Sequence, residues 1–235
     1  MGTAPNTHHL NPLQEKRRRL NVLTRVVPTL LNRLLTPVLG WRRIPFIVGM
    51  LMSAPAYGKK FSRPSDDVGL KEVKRTFLLV GVLYNKLRDR YGEDAAFKTT
   101  HQFIYELGNA VQRQAYFPPP GMRREWDWFH GEHEAQMAEG FIRNNENDGV
   151  LHSPDQVSLH ITRCRFFEAF RDMGNARLTE AFCCSDETVF NEYSPEMHFH
   201  RGDTEPNTIA RGASRCTFIY DRRSIAPSSE STSHK

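Results

Sequence analysis

Apolar residues recur at helical spacing from Val68 to Phe141, and at Gln156 the repeat shortens to two. A repeat near 3.6 lays one stripe along a helix, whereas a repeat of two sorts side chains onto the faces of a strand. Upstream of the change, residues 68–91 carry Val73, Phe77, Val80, Leu83, Tyr84 and Leu87 on one stripe, with Gly92 as the stop. Residues 93–115 follow with Phe97, Phe103, Ile104, Leu107 and Val111, closed by Pro118-Pro119-Pro120-Gly121. Residues 123–144 form a third helical stretch with Trp126, Phe129, His133, Met137 and Phe141, and 144–149 read as a loop. Downstream, residues 156–164 alternate, with Val157, Leu159 and Ile161 set against Ser158, His160, Thr162 and Cys164. A short helix over 166–173 stops at Gly174, a further helix spans 177–192, and 197–201 and 214–221 read as strands. Helices first and mixed elements after predict an α+β fold. Its helical N-terminal half packs on a small, mostly antiparallel sheet with short helices.

The charge is as uneven as the periodicity. Residues 1–60 hold ten Lys/Arg and one acid, Glu15, while the rest of the chain is slightly acidic. No folded face interleaves basic groups with aromatics, so a nucleic-acid partner is not expected. Residues 1–14 and 224–235 read as disordered tails, 15–60 as a basic amphipathic arm, and 61–223 as the catalytic domain. The arm places Leu20, Leu23, Val27, Leu30, Leu31, Leu34 and Leu35 at helical spacing, interrupted by Pro28 and Pro37. A second apolar run over 44–56 falls short of the ~20 residues needed to span a bilayer. Two helices packed on the domain are the default reading. The sharper one is a peripheral membrane contact through residues 15–56, with Arg17, Arg18, Arg19, Arg25 and Arg33 at the headgroups.

Four cysteines in 235 residues are too sparse for a disulfide scaffold. Residues 1–11 contain no apolar stretch like that of a secretory leader, so reduced thiols in a cytoplasmic setting are expected.

All four thiols fall between residues 161 and 218, with an acid, two histidines and an arginine among them. By strand alternation His160 and Cys164 share a face, about 13 Å apart. Cys164 stands where a strand gives way to a helix, so a helix dipole favours its thiolate. A buried, inert packing role is the plainer reading of any free cysteine. Cys183 and Asp186 share a helix face at i, i+3. His198 and His200 project to one side of a strand and Arg201 to the other. The run His130-Gly131-Glu132-His133 has i, i+3 spacing rather than the i, i+4 of a zinc helix, and His133 lies on the apolar stripe. No nucleophile elbow, phosphate loop, dinucleotide fingerprint or paired CxxC is present.

Residues 161–174, from Ile161-Thr162-Arg163-Cys164-Arg165-Phe166-Phe167-Glu168-Ala169-Phe170 to Gly174, resemble the central signature of the L-2-amino-thiazoline-4-carboxylic acid hydrolase-like family. Phe182-Cys183-Cys184-Ser185-Asp186 is similar to its Cys-x-x-Asp pattern, as are Phe199-His200-Arg201 and the run from Thr208 through Gly212 to Cys216-Thr217-Phe218. The resemblance covers residues 156–221 well, leaves Cys184 outside the pattern, and departs from it at Ala213 and in a longer turn between Arg201 and Thr208.

The resemblance implies a small-molecule enzyme that opens a cyclic amidine-like ring at a C–N or C–S bond. In that reading Cys164 is a thiolate nucleophile, or joins Cys183 and Cys216 in a thiolate site for a divalent metal. Asp186 or His160 carries the proton, Arg201 forks the substrate carboxylate, and His198, His200, Trp126 and Phe166 line the substrate. A second reading keeps the fold for a cyclase, isomerase or pericyclase of natural-product biosynthesis. There Trp126, Trp128, Phe129, Phe141, Phe166 and Phe199 position an apolar substrate. A third is a metal- or ligand-binding sensor docked through the arm.

Overall fold

The computed structural model describes residues 22–224. The expected tails, apart from Ser224, and the basic residues Arg17, Arg18 and Arg19 lie outside them. A π-helical turn, Val22–Val26, leads into α1 (Val27–Leu39). A 3-10 turn at Gly40–Arg42 joins α1 to α2 (Arg43–Phe61). Neither expected break occurs at a proline: Pro28 falls in the first turn of α1, where a missing N–H costs little, and Pro37 lies inside α1, so the chain turns instead at Gly40, whose φ is 54°. Next are α3 (Val68–Thr76), α4 (Leu78–Tyr91), α5 (Glu93–Tyr116) and α6 (Trp126–Glu139). The strands β1 (Glu146–His152) and β2 (Gln156–Arg163) precede α7 (Arg165–Met173) and α8 (Glu180–Asn191). The strands β3 (Met197–His200) and β4 (Cys216–Arg222) end the fold.

Two of these elements differ from the sequence expectation. The single stripe over 68–91 is two helices, α3 and α4, which part at Phe77 (φ −98°, ψ 13°). Residues 144–149, expected as a loop, are a 3-10 end followed by the start of β1. Asn, Asp and Gly disfavour strands on their own. Here they pair antiparallel with the edge of β2, with irregular register and Gly149 at φ 128°.

The sheet has the order β1-β2-β4-β3, antiparallel throughout. Alternation sends Val157, Leu159, Ile161, Met197, Phe199, Cys216, Phe218 and Tyr220 to one face, all buried against Tyr116, Trp126, Phe129, Phe190 and Tyr193. A second cluster joins α1 and α2 to α4, α5 and α7 through Leu35, Met50, Leu83, Leu87, Ile104 and Phe170. Helix α8 is the wall between them, giving Ala181 to the helical cluster and Phe190 to the sheet cluster. The α+β architecture is as expected: a helical N-terminal half and a small antiparallel sheet.

Candidate functional site

Cys164 sits where β2 hands over to α7, and two arginines fix that junction. Arg163 forks Glu168, with Nε–Oε1 at 2.6 Å and Nη2–Oε2 at 2.8 Å. Arg165 donates to Asp67, the N-cap of α3, with Nε–Oδ1 at 2.8 Å. Both guanidinium groups are thus held on their acids, while Cys164 leaves the strand as N-cap of α7 and packs on the sheet's buried face.

On that buried face the family-pattern residues meet. Cys183 and Asp186 come from α8, Arg201 from the end of β3, and Cys216 from the start of β4. Arg201 is 5 % exposed. Its Nη2 donates to Asp186 Oδ2 at 2.9 Å and to the Cys183 carbonyl at 3.4 Å, and its Nη1 donates to the Thr217 carbonyl at 3.2 Å. The guanidinium also stacks over Phe218, 4.4 Å from the ring centre. The other Asp186 oxygen accepts from Gln112 of α5. Cys216 Sγ accepts the Ile209 N–H at 3.2 Å, in a turn closed by Gly212 at φ 98°, a conformation that favours glycine.

Burial governs the titration of this cluster. It pushes the Asp186 carboxyl up to about 6, although Arg201 and Gln112 pull the other way. Burial, then the neighbouring Cys216, raise the Cys164 thiol to about 12, against the pull of the Phe167 and Phe166 N–H groups at the helix start. Burial raises the Cys183 and Cys216 thiols as well. The thiolate expected at Cys164 from the helix dipole is therefore corrected: desolvation outweighs the dipole, and the neutral thiol dominates near pH 7.

Other expected site residues fall elsewhere. His160 does not share a cleft with Cys164, because the alternation ends at Arg163 and Cys164 turns inward. His160, His198 and His200 lie on the opposite sheet face, separated from the thiols by the sheet. Trp126 is 1 % exposed, with Nε1 donating to the Pro154 carbonyl at 2.7 Å. Phe166 packs among Phe77, Phe141 and Phe182 at centroid distances of 5.2–5.7 Å. Trp126 is a core ring and Phe166 a partly buried one, and neither lines the two grooves that adjoin at Glu187. His133 is fully buried and bonds His152, Nδ1 to Nε2 at 3.0 Å, and burial lowers its pKa to about 3.

Arg201 also differs from the substrate fork expected of it. Its two Nη groups are engaged by Asp186 and by backbone carbonyls; only Nε, 3.4 Å from Glu187, makes no hydrogen bond within the protein.

Among the described residues, the one set of three candidate metal donors that all lie within 4.8 Å is His198, His200 and Asp221. The thiols Cys164, Cys183 and Cys216 do not form such a set. In the histidine set, Gly202 N–H donates to His200 Nδ1 at 3.2 Å, which leaves the ring proton on Nε2, 2.9 Å from Asp221 Oδ2. That nitrogen is a donor to Asp221, so this is a hydrogen-bonded His–Asp pair rather than a fitting metal site.

Of the thiol–Asp186–Arg201 cluster, Arg201 borders a groove of about 320 Å³ that Glu187, Asn191, Phe199, His200, Asn207 and Arg211 also line. His200 and Arg201 both border it, despite alternation, because they stand at the end of an edge strand. A shallower depression of about 460 Å³ beside Cys184, Tyr105 and His101 adjoins it at Glu187. Sequence reading passed over Gln112, Glu187 and Arg211. The signal for Gln112 was Gly108 followed by Asn109 on an apolar helix, which marks the close approach of α5 to α8.

No curated protein and no solved structure matches the chain. A family model described as L-2-amino-thiazoline-4-carboxylic acid hydrolase matches residues 72–220, more than half the chain and all of the cluster just described. With Cys164, Cys183, Asp186, Arg201 and Cys216 gathered in one arrangement and Gly212 closing the turn beside it, the chain belongs to the L-2-amino-thiazoline-4-carboxylic acid hydrolase family.

Proposed function

We propose that the protein hydrolyses a small cyclic amidine-like carboxylate, opening a C–N or C–S ring bond, with Asp186 as the proton carrier. The observation that carries this reading is a buried carboxyl, raised to about 6 yet anchored by Arg201 and Gln112. A carboxyl poised near neutrality takes a proton from water as it attacks the ring carbon and returns it to the leaving atom. Ionising Cys164 instead, from about 12, costs about 7 kcal/mol at pH 7. The raised Cys164 pKa disfavours a thiolate nucleophile and leaves water as the attacking group in this reading, with the thiols as weakly polar walls around the carboxyl. Arg211, at the groove rim and 3.3 Å from Glu187, is the cation best exposed for a substrate carboxylate.

The family name supports hydrolysis. The cyclase, isomerase or pericyclase reading has less support, since Trp126 and Phe129 are sealed in the core and, of its aromatics, Phe199 alone borders the groove. A metal-sensor reading rests on His198, His200 and Asp221, where the His200–Asp221 hydrogen bond competes with a metal ion.

The test is turnover of L-2-amino-thiazoline-4-carboxylate, followed by mass spectrometry of the ring-opened product. Activity should rise with pH through about 6 as Asp186 ionises. Asp186→Asn should lower kcat by roughly 10²–10⁴, and Cys164→Ser should retain most of it. A folded Asp186→Asn with full activity, or a dead but folded Cys164→Ser, would overturn the assignment in favour of the thiol.

A further inference from the structure

Helix α2 is apolar on two opposite sides, and the fold uses only one. Phe46, Met50 and Phe61 are buried in the helical core. On the other side Trp41, in the turn before α2, is 74 % exposed, Ile44 63 %, Val48 51 %, Leu51 51 % and Met52 79 %. Their spacing of three and four residues places all five on one stripe. These five are the densest run among the eleven large hydrophobic residues that the described chain leaves exposed, and the other six are scattered from Val38 to Leu151. A contiguous strip of this kind marks a contact surface.

The charges around the strip indicate what it touches. Arg42 and Arg43 stand at the start of α2 and Lys59 and Lys60 at its end, with Arg25 in the turn before α1 and Arg33 on α1, the latter paired with Glu106. No acid occurs between Glu15 and Asp66. Apolar side chains bounded by cations at both ends, with a tryptophan at one end, suit the interface of an anionic bilayer.

The helical run Thr24–Phe61, 38 residues, is long and apolar enough to cross a membrane, longer than the apolar run counted from sequence. Crossing would strip Leu31, Leu35, Met50 and Phe61 from the core they share with α4 and α5. We propose that α2 instead lies in the plane of an anionic phospholipid surface, with Trp41, Ile44, Val48, Leu51 and Met52 in the acyl boundary and Arg42, Lys59 and Lys60 at the headgroups. The protein is then a peripheral membrane protein whose folded domain stays outside the bilayer. This is independent of what the buried cluster catalyses.

The experiment is co-sedimentation of the full chain with phosphatidylcholine vesicles, with and without phosphatidylserine, and light scattering of the protein alone. The wild type should pellet with the anionic vesicles and lose most of that binding at high salt. The variant Ile44→Gln/Val48→Gln/Met52→Gln changes only exposed positions. It should keep its circular dichroism and bind more than tenfold more weakly. Arg42→Glu/Lys59→Glu/Lys60→Glu should lose the preference for phosphatidylserine. A wild type that stays in the supernatant, or a folded Gln variant that binds equally well, overturns the proposal. So does a wild-type dimer that the Gln variant converts to monomer while neither binds vesicles, which would make the strip an interface between two copies.

Discussion

Asp66 and Asp186 each sit beside a cation, yet their carboxyls shift in opposite directions. At Asp66 burial pushes upward, but the Lys74 ammonium at 2.7 Å and the Arg63 N–H at 2.9 Å outweigh it and hold the carboxyl below its usual range. At Asp186 burial wins over the Arg201 ion pair and the Gln112 hydrogen bond, with a small further push from Glu187. That difference suits Asp186 to the proton-carrying role proposed for it and Asp66 to a structural ion set. Lys74 also binds Asp172 at 2.7 Å, and all three side chains are 4 % exposed. Removing one member of a buried ion set leaves the others without a partner. Lys74→Met should accordingly lower unfolding stability by about 3 kcal/mol, read as a lower urea midpoint at unchanged slope. Sequence periodicity placed Lys74 on no stripe, and its acids lie 8 and 98 residues away, so only the folded chain identifies the triad.

Phe77 shows how tertiary contact redraws an element. Its stripe runs unbroken in sequence, but its ring packs against Phe141, Phe166, Phe170 and Phe182 at 5.2–5.8 Å, and the helix parts there. The pairing of α5 with α8 is tighter still. A Cβ on Gly108 would lie 2.8 Å from Ser185 Oγ and 3.1 Å from its Cβ, in a fully buried position. A branched side chain there must push α8 away from α5, and with it Asp186 away from Gln112. Gly108→Val should destabilise by about 1–3 kcal/mol and lower activity beyond that loss, measured as kcat per folded molecule. Gly108→Ala should be milder, since alanine's helix propensity offsets part of the strain.

At the scale of the molecule, the basic arm is part of the core. Leu30, Leu31, Leu35, Leu39, Phe46, Met50 and Phe61 share one cluster with Val80, Leu83, Leu87 and Ile104. The family match begins at residue 72, so the arm adds to the matched region yet covers its helical face. Deleting residues 1–61 should expose that face and yield aggregated or molten protein, detected by dye binding and loss of a cooperative melt. A deletion variant that folds cooperatively would show the arm to be an independent attachment.

Much of the fold was legible from residue 68 onward, because helix and strand periods are local properties of the chain. The same locality made the i, i+3 pairing of Cys183 with Asp186 readable, and the opposition of His198 and His200 to Arg201. The family pattern was legible too, since its residues are close in sequence. The side on which Cys164 ends was not: alternation holds only while the strand lasts, and the turn into α7 reverses it. Strand β1 was hidden because its composition favours turns and only pairing with β2 makes it a strand. Burial decided the rest. Neither the raised carboxyl of Asp186, the neutral thiols, nor the sealed ring of Trp126 follows from spacing, because desolvation depends on what the whole chain packs around a group.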